Sequence, residues 1–177
     1  NDVFAGGDCT QVYDFVTGKP FVSQLASTAR RMASVIADNL LDSPTTFGPI
    51  TNPWVGVIGD YQVGNVGLTE KTASNNNIKI TTGSSIGATR AGYYPGGSDI
   101  YIKLLFNKRY IVGAQVIGGE GVKERIDGLS FAIRKNATID DMLKMETCYT
   151  PPLSELVDPV IYAIKDAYKN MDEQEYD

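Results

Sequence analysis

The sequence contains no histidine. A Ser-His-Asp or Cys-His nucleophile system is therefore excluded from these residues, and so is any imidazole metal ligand. Only two cysteines occur, Cys9 and Cys148, far apart and without C-x-x-C spacing. Two distant cysteines make neither a zinc site nor a local redox pair, so no metal is expected. Free thiols suit a reducing compartment, and a cytoplasmic location is expected. Basic runs are missing too, and the net charge is −5. Without clustered Lys and Arg to displace counterions, nucleic acid is not an expected partner. No apolar stretch approaches the ~20 residues of a membrane span. No charged-then-apolar leader opens the sequence, so neither membrane nor secretion is expected. No carboxylate pair or nucleophile–base pair stands out, and the residues by themselves do not describe an enzyme.

What is present suits one domain, or one domain plus a piece of another, in 177 residues. Hydrophobic residues make up 42% and charged residues 21%, which favours a packed core over disorder. The opening "VFAGGDC" reads as a short buried strand, residues 3–6, running into a Gly6-Gly7-Asp8 turn. An acid there cannot attract phosphate, but it accepts hydrogen bonds from sugar hydroxyls. The alternative is a plain tight turn with a solvated Asp8. An irregular stretch is expected through Gly18 and Pro20. In "FVSQLASTARRMASVIADNLL", Val22, Leu25, Ala29, Met32, Ile36 and Leu40 recur at steps of three or four, one stripe of a helix. Its small first half leaves the helix N-terminus, with its positive dipole, open to close approach. "DSPTTFGPITNP", residues 42–53, has the Pro, Gly, Ser and Thr content of a linker.

A second region starts near Trp54. "VGVIGDYQVGNVGL" predicts one or two strands with glycine bulges. Thr69 is placed to cap a short helix over "EKTASN". "NIKITT" is a strand by β-branched content. "DIYIKLLF" and "RYIVGAQVI" alternate and form a hairpin. "VKERIDGLSFAIRKN" puts Val122, Ile126, Leu129 and Ile133 on one helical face. Thr138 and Asp141 resemble a capping box for the next helix. After Pro151 and Pro152, Ser154 is placed to cap a last helix with Val157, Ile161 and Ile164 inward. The acidic end "MDEQEYD" is expected to fray. Strands and helices do not alternate strictly, so the region is α+β with a mainly antiparallel sheet flanked by helices.

Three turns remain. "GGEGV", residues 118–122, lacks the G-x-G-x-x-G context and the P-loop lysine, and reads as a sharp strand-to-helix turn. "RAGYYPGG", residues 90–97, places two tyrosines in a glycine-proline turn, where rings pack corners or interfaces. "CYTPPLSE", residues 148–155, is a rigid approach to a helix.

Taken in order, "VFAGGDC", "LASTARRMASVIADNL", "VGLTEKTA", "RAGYYPGG", "IYIKLLF", "IVGAQVIGGEGVKERIDGLSFAI" and "YTPPLSELVDPV" resemble the C-terminal part of the FAD-dependent pyridine nucleotide–disulfide oxidoreductases. The branch resembled is that of NADH oxidase and coenzyme A–disulfide or persulfide reductase. The resemblance implies that residues 1–45 are the end of an FAD-binding domain. Residues 46–53 would be a linker, 54–169 a dimerisation domain and 170–177 an acidic tail. The Rossmann glycines, the NAD-binding domain and the redox cysteine would precede residue 1, as missing N-terminal domains of the same polypeptide.

The resemblance also implies roles. Asp8 would accept hydrogen bonds from the flavin ribityl chain, with Gly7 allowing close approach. The backbone at Leu25 and Ala26 would face the pyrimidine edge of the isoalloxazine. Tyr93 or Tyr94, and Tyr149, match tyrosines near the partner subunit's active site. Where glutathione-reductase-like members carry a histidine before a proline, this sequence has Thr150, which excludes histidine acid–base catalysis. Arg90 stands where a histidine is common, as a contact for a coenzyme A phosphate or as a surface arginine. Cys9 matches a family cysteine that is not the redox thiol. The expected protein is the homodimer-forming module of a cytoplasmic flavoprotein that oxidises NAD(P)H. Its acceptor is left open among oxygen, coenzyme A disulfide, a persulfide and sulfur. The chain alone is expected to be inactive and to retain no FAD. The rival reading is a stand-alone dimeric binding or scaffold domain without redox activity.

Overall fold

The structure, a computed structural model, describes residues 3–174. The chain divides into two units, one ending at Asn52 and the other beginning at Pro53.

The first unit is built on a hairpin. Strands β1 (Gln11–Tyr13) and β2 (Pro20–Val22) pair antiparallel, with Val12 opposite Phe21. The turn between them was expected to be irregular, but Asp14 organises it. Its Oδ1 accepts the N–H groups of Val16 and Thr17 at 3.0 and 2.7 Å, the local side-chain bonding that makes aspartate a turn residue. Ile50 extends the pairing, giving its N–H to Tyr13 O and taking that of Phe15, both at 2.9 Å. Helix α1 (Ala26–Leu40) packs Met32 against Val12 and Ile50, with Phe21 and Phe47 at the margin of this cluster.

Three expectations fail here. Residues 3–6 form no strand, and Val3 is 88% exposed. An apolar run becomes a strand only where a neighbour pairs its backbone. The helix begins at Ala26, so Val22, expected on the helical stripe, lies instead in β2. Of the expected stripe only Met32 is buried, while Val22 and Leu40 are exposed.

In the second unit a hairpin, β3 (Trp54–Ile58) and β4 (Tyr61–Gly67), leads into α2 (Glu70–Asn75). Thr69 caps α2 as expected, in a box closed by Thr72. Strands β5 (Thr81–Ala88), β6 (Asp99–Asn107) and β7 (Tyr110–Gly118) follow. The sheet order is β3-β4-β7-β6-β5, antiparallel throughout. Helix α3 (Val122–Arg134) covers β4 and β7, and α5 (Pro159–Gln174) covers β5 and β6. Between them lies α4 (Ile139–Leu143), capped by the expected box of Thr138 and Asp141. The fold is α+β, an antiparallel sheet flanked by helices, as the sequence predicts.

The core lies between sheet and helices. Ile100, Ile102, Leu104, Ala114 and Val116 of the sheet are buried there, as is the α3 stripe of Val122, Ile126, Leu129 and Ile133. Glycines set how closely the helices approach. A Cβ on Gly64 would strike Ile126 and Val122, and one on Gly83 would strike the backbone of α5 at Ala163 and Ala167.

Two elements are displaced from their sequence-based positions. The strand expected at "NIKITT" includes only its last two residues and continues through "GSSIGA". The last helix starts at Pro159, with Asp158 Oδ1 accepting Val160 N–H at 2.9 Å in place of a Ser154 cap. Its buried face is Val160, Ala163, Ile164, Ala167 and Met171, while Val157 and Ile161 are half-buried. Residues 171–174, expected to fray, continue α5. Residues 175–177 of that acidic end lie outside the described residues. Among the described residues no helix is long and apolar enough to cross a membrane.

Candidate functional site

Each unit carries part of the candidate chemistry. In the first, the chain turns at Gly7, where φ is 94°, a conformation that suits glycine. Thr10 closes the turn, giving its N–H and its hydroxyl to Gly7 O at 3.1 and 2.8 Å. Gly7 N–H donates to the sulfur of Met32 at 3.1 Å, so the turn is anchored to α1. Asp8 stands at the tip, exposed. Leu25 is the N-cap of α1 and offers no side-chain bond, and no acid lies in the first turn. The first-turn N–H groups therefore keep their positive end available. The structure thus places Asp8 exposed on a glycine turn, and Leu25 and Ala26 at a helix N-terminus without a side-chain cap.

In the second unit the two proline-containing turns meet. Ala91 N–H donates to Pro151 O at 3.1 Å, and Ala88 N–H donates to Glu155 Oε2 at 3.1 Å. The 150–154 turn is closed by Leu153 and Ser154 N–H to Thr150 O. Ser154 Oγ donates to Cys148 O at 3.3 Å. This docking brings Tyr93 to Tyr149, with the phenol oxygens 2.7 Å apart. Both rings are exposed. Hydrogen bonding to Tyr93, with some loss of hydration, pushes the Tyr149 phenol above its ordinary value. Tyr94, its neighbour, gives its backbone N–H to Ala91 O at 2.7 Å.

Arg90 is engaged within the fold. Its Nε and Nη2 donate to Glu120 at 2.7 and 3.0 Å, and Nη1 donates to Pro95 O at 3.1 Å. That pairing holds the Glu120 carboxyl below the usual carboxylate range, helped by the Thr89 hydroxyl. The sharp turn at residues 118–122 thus has a second task, presenting Glu120 to Arg90. Beside it a cavity of about 600 Å³ is lined by Glu120, Arg125, Cys148, Tyr149, Thr150 and Ser154, among others. Arg125, in its lining, donates to Asp158 at 2.7 and 3.2 Å and to Gly121 O at 2.9 Å. Sequence reading missed Glu120, Glu155 and the Arg125–Asp158 pair. Nothing in a lone charge announces a partner thirty residues away. Among the described residues no group of three or more Cys, Asp or Glu is placed to hold a metal.

Residues 54–160 match the pyridine nucleotide-disulphide oxidoreductase dimerisation domain. The chain belongs to that family. Among the relatives of this pyridine nucleotide-disulphide oxidoreductase chain is an NADH oxidase of Methanocaldococcus jannaschii, 40% identical over 171 residues. That alignment takes in 96% of this chain and 38% of the relative. A coenzyme A disulfide reductase of Staphylococcus haemolyticus is 32% identical over 172 residues, covering 93% of this chain and 38% of the other. The reduced CoADR-RHD of Bacillus anthracis superposes with a TM-score of 0.89 at 34% identity, over 96% of this chain and 31% of that one. The chain thus spans just over a third of the length of its curated relatives.

Proposed function

We propose that this chain is the dimerisation module of an FAD-dependent NAD(P)H oxidoreductase of the NADH oxidase or coenzyme A–disulfide/persulfide reductase type. Residues 54–169 supply the subunit interface, and residues 1–45 form part of the flavin's wall. Further FAD- and NAD-binding domains belong to the same polypeptide, and the protein works in the cytoplasm as a homodimer. The family match and the relatives support the reading. The observation that carries it to chemistry is the phenol pair, two hydroxyls held together by loops docked on each other.

FAD, when bound, supplies the acceptor for hydride from the nicotinamide. Asp8 would accept hydrogen bonds from its ribityl hydroxyls, with Gly7 allowing close approach, and the N–H groups entering α1 at Leu25 and Ala26 would stabilise negative charge on its pyrimidine edge. Tyr149 is the proton-bearing group on this chain. An ordinary phenol ionises near ~10, and Tyr149 is pushed higher, so at neutral pH it donates and does not act as a base. Tyr93 orients it. With Thr150 in place of a histidine, Tyr149 from one subunit would be the group that donates at the other subunit's flavin–cysteine site. Arg90 is occupied by Glu120, which leaves it a positioning role toward the turn that carries Tyr93.

The test is Tyr149→Phe in the polypeptide that joins this chain to its flavin- and nucleotide-binding domains. The change keeps the ring and removes the hydroxyl. Turnover of the disulfide, persulfide or oxygen acceptor falls several-fold with the dimer intact. Unchanged turnover leaves Tyr149 as interface packing.

A further inference from the structure

The turn that carries Tyr93 is built around an arginine. Its base is closed by Thr89, which is 2% exposed. Thr89 N–H donates to Ser98 O at 2.8 Å, and Ser98 N–H donates to the Thr89 hydroxyl at 3.0 Å. The Arg90 side chain lies inside. A Cβ on Gly96 would come within 3.1 Å of Arg90 Nη1, and one on Gly97 within 3.5 Å of the Arg90 Cβ, so the far limb of the turn wraps the arginine. Arg90 Nη1 donates to Pro95 O at 3.1 Å, on that limb. The rest of the guanidinium and the Thr89 hydroxyl are both directed to Glu120. Glu120 Oε1 accepts from Thr89 Oγ1 at 3.0 Å and from Arg90 Nε at 2.7 Å, and Oε2 accepts from Arg90 Nη2 at 3.0 Å. A bidentate arginine–carboxylate fork of this kind fixes direction as well as distance. Glu120 itself stands between regular elements, just after β7 and just before Gly121, whose φ of 73° turns the chain directly into α3. Gly119 lets the tyrosine turn come this close, since a Cβ there would strike Ser98 Oγ.

We propose that Glu120 is the positioning residue of this site: acting through Arg90, it holds the 90–98 turn in the shape that keeps the Tyr93 hydroxyl on Tyr149. The Tyr93 ring is 76% exposed, so packing does not fix it, and its hydroxyl goes where the backbone of the turn sends it. That backbone is restrained on both limbs. Ala91 N–H on Pro151 O ties the near limb to the 150–154 turn. Arg90 on Pro95 O ties the far limb to the guanidinium, and Glu120 ties the guanidinium to the end of the sheet. Without Glu120 the arginine swings on its bond to Pro95, and the far limb is released with the phenol it carries. The effect on turnover rests on the donor role proposed for Tyr149, whereas the placing of the two phenols stands on the contacts alone. Glu120 also lines the cavity that Tyr149 borders, with Glu124, Arg125, Cys148 and Asp158. Its charge is therefore a rival route to the phenol, and the two routes differ in sign. Removing a nearby negative charge lowers the pH at which a phenol ionises, and removing a positive one raises it. Losing a bond that favours the protonated phenol lowers it whichever residue is changed.

The test titrates the 177-residue chain with base and follows Tyr149 by NMR, with an isotope label at the tyrosine Cζ. The Tyr149 signal is identified by its loss in Tyr149→Phe. Tyr93→Phe gives the value of a Tyr149 without its partner. Glu120→Ala and Arg90→Met both move Tyr149 down toward that value, and adding Tyr93→Phe to either moves it no further. Arg90→Lys keeps the charge but cannot hold Glu120 and Pro95 with the same fork, so it too moves Tyr149 down. It is the mildest change, and it decides the matter if circular dichroism shows that a larger one has unfolded the chain. Movement down in Glu120→Ala but up in Arg90→Met overturns the proposal in favour of charge across the cavity. A Tyr149 that titrates as wild type in Glu120→Ala or in Arg90→Lys overturns it outright. In the polypeptide that joins this chain to its flavin- and nucleotide-binding domains, Glu120→Ala lowers kcat several-fold, as Tyr149→Phe does. If Tyr149→Phe leaves turnover unchanged, the donor reading falls and the titration alone judges Glu120. If Tyr149→Phe lowers turnover and Glu120→Ala leaves the titration unmoved, the donor stands and Glu120 is no positioning residue.

Discussion

The phenol oxygens of Tyr93 and Tyr149 lie 2.7 Å apart across 56 residues of sequence. Neither turn makes this contact alone. The backbone bond from Ala91 to Pro151 docks the turns, and the hydroxyls meet as a consequence. Tyr149 keeps its proton to higher pH than a free phenol because Tyr93 bonds the protonated form. Tyr93→Phe removes that bond, so Tyr149 ionises at lower pH, moving back toward the ordinary phenol range. The near-ultraviolet phenolate band of the two proteins, followed on titration with base, checks the direction. The linkage has a definite sign. A folded-state value above the unfolded one gives stability that is full below the unfolded value and lost as pH rises through the folded one.

Gly83 sits where β5 passes under α5. A Cβ there meets the backbone of Ala163 and Ala167, which cannot rotate away as a side chain would. Gly83→Ala lowers stability by about 1–3 kcal/mol, the usual scale of overpacking, and Gly83→Val lowers it further. Denaturant unfolding gives the values. A neutral Gly83→Ala would mean that α5 is free to lift from the sheet.

Arg125 and Asp158 are paired at 2.7 Å with only 10% and 15% of their side chains exposed. Removing one partner strands the other charge, so Arg125→Leu costs about 3 kcal/mol. Asp158 also caps α5, and asparagine keeps that function. Adding Asp158→Asn to Arg125→Leu therefore recovers part of the loss. A double-mutant cycle in urea tests this, and strict additivity would show that the pair is not coupled.

The second unit was legible where local chemistry suffices. Thr69 and Thr138 announce helix starts because a hydroxyl needs only N–H groups three residues on. The α3 stripe and the β6–β7 hairpin repeat at their own periods. Strand β5 was misplaced because Gly83 and Gly87 answer to α5, not to strand propensity. Without them Ala163, Ala167 and Pro159 would find a Cβ in the way. Residues 3–6 were misread for a related reason, since apolar content is the same whether or not a neighbour exists to pair with. At the candidate site, the sequence named the two turns and their tyrosines but left Tyr93 and Tyr94 open. Adjacent side chains in a turn diverge, and only the docked partner decides which one it meets. Glu120 and Asp158, the acids that occupy Arg90 and Arg125, had no such signal.

At β5, an edge of the sheet, outward backbone groups are met by the side chains of Glu155, Asp166 and Asn170, some seventy residues or more further along the chain. During synthesis β5 leaves the ribosome well before they do, and α5 cannot close over it until its own turns have emerged. For that interval the nascent sheet has both flanks open to neighbouring chains. Glycine and serine dominate β5, while β3 is apolar throughout. The flank that waits for α5 is thus the less adhesive of the two, which lowers the hazard of the delay.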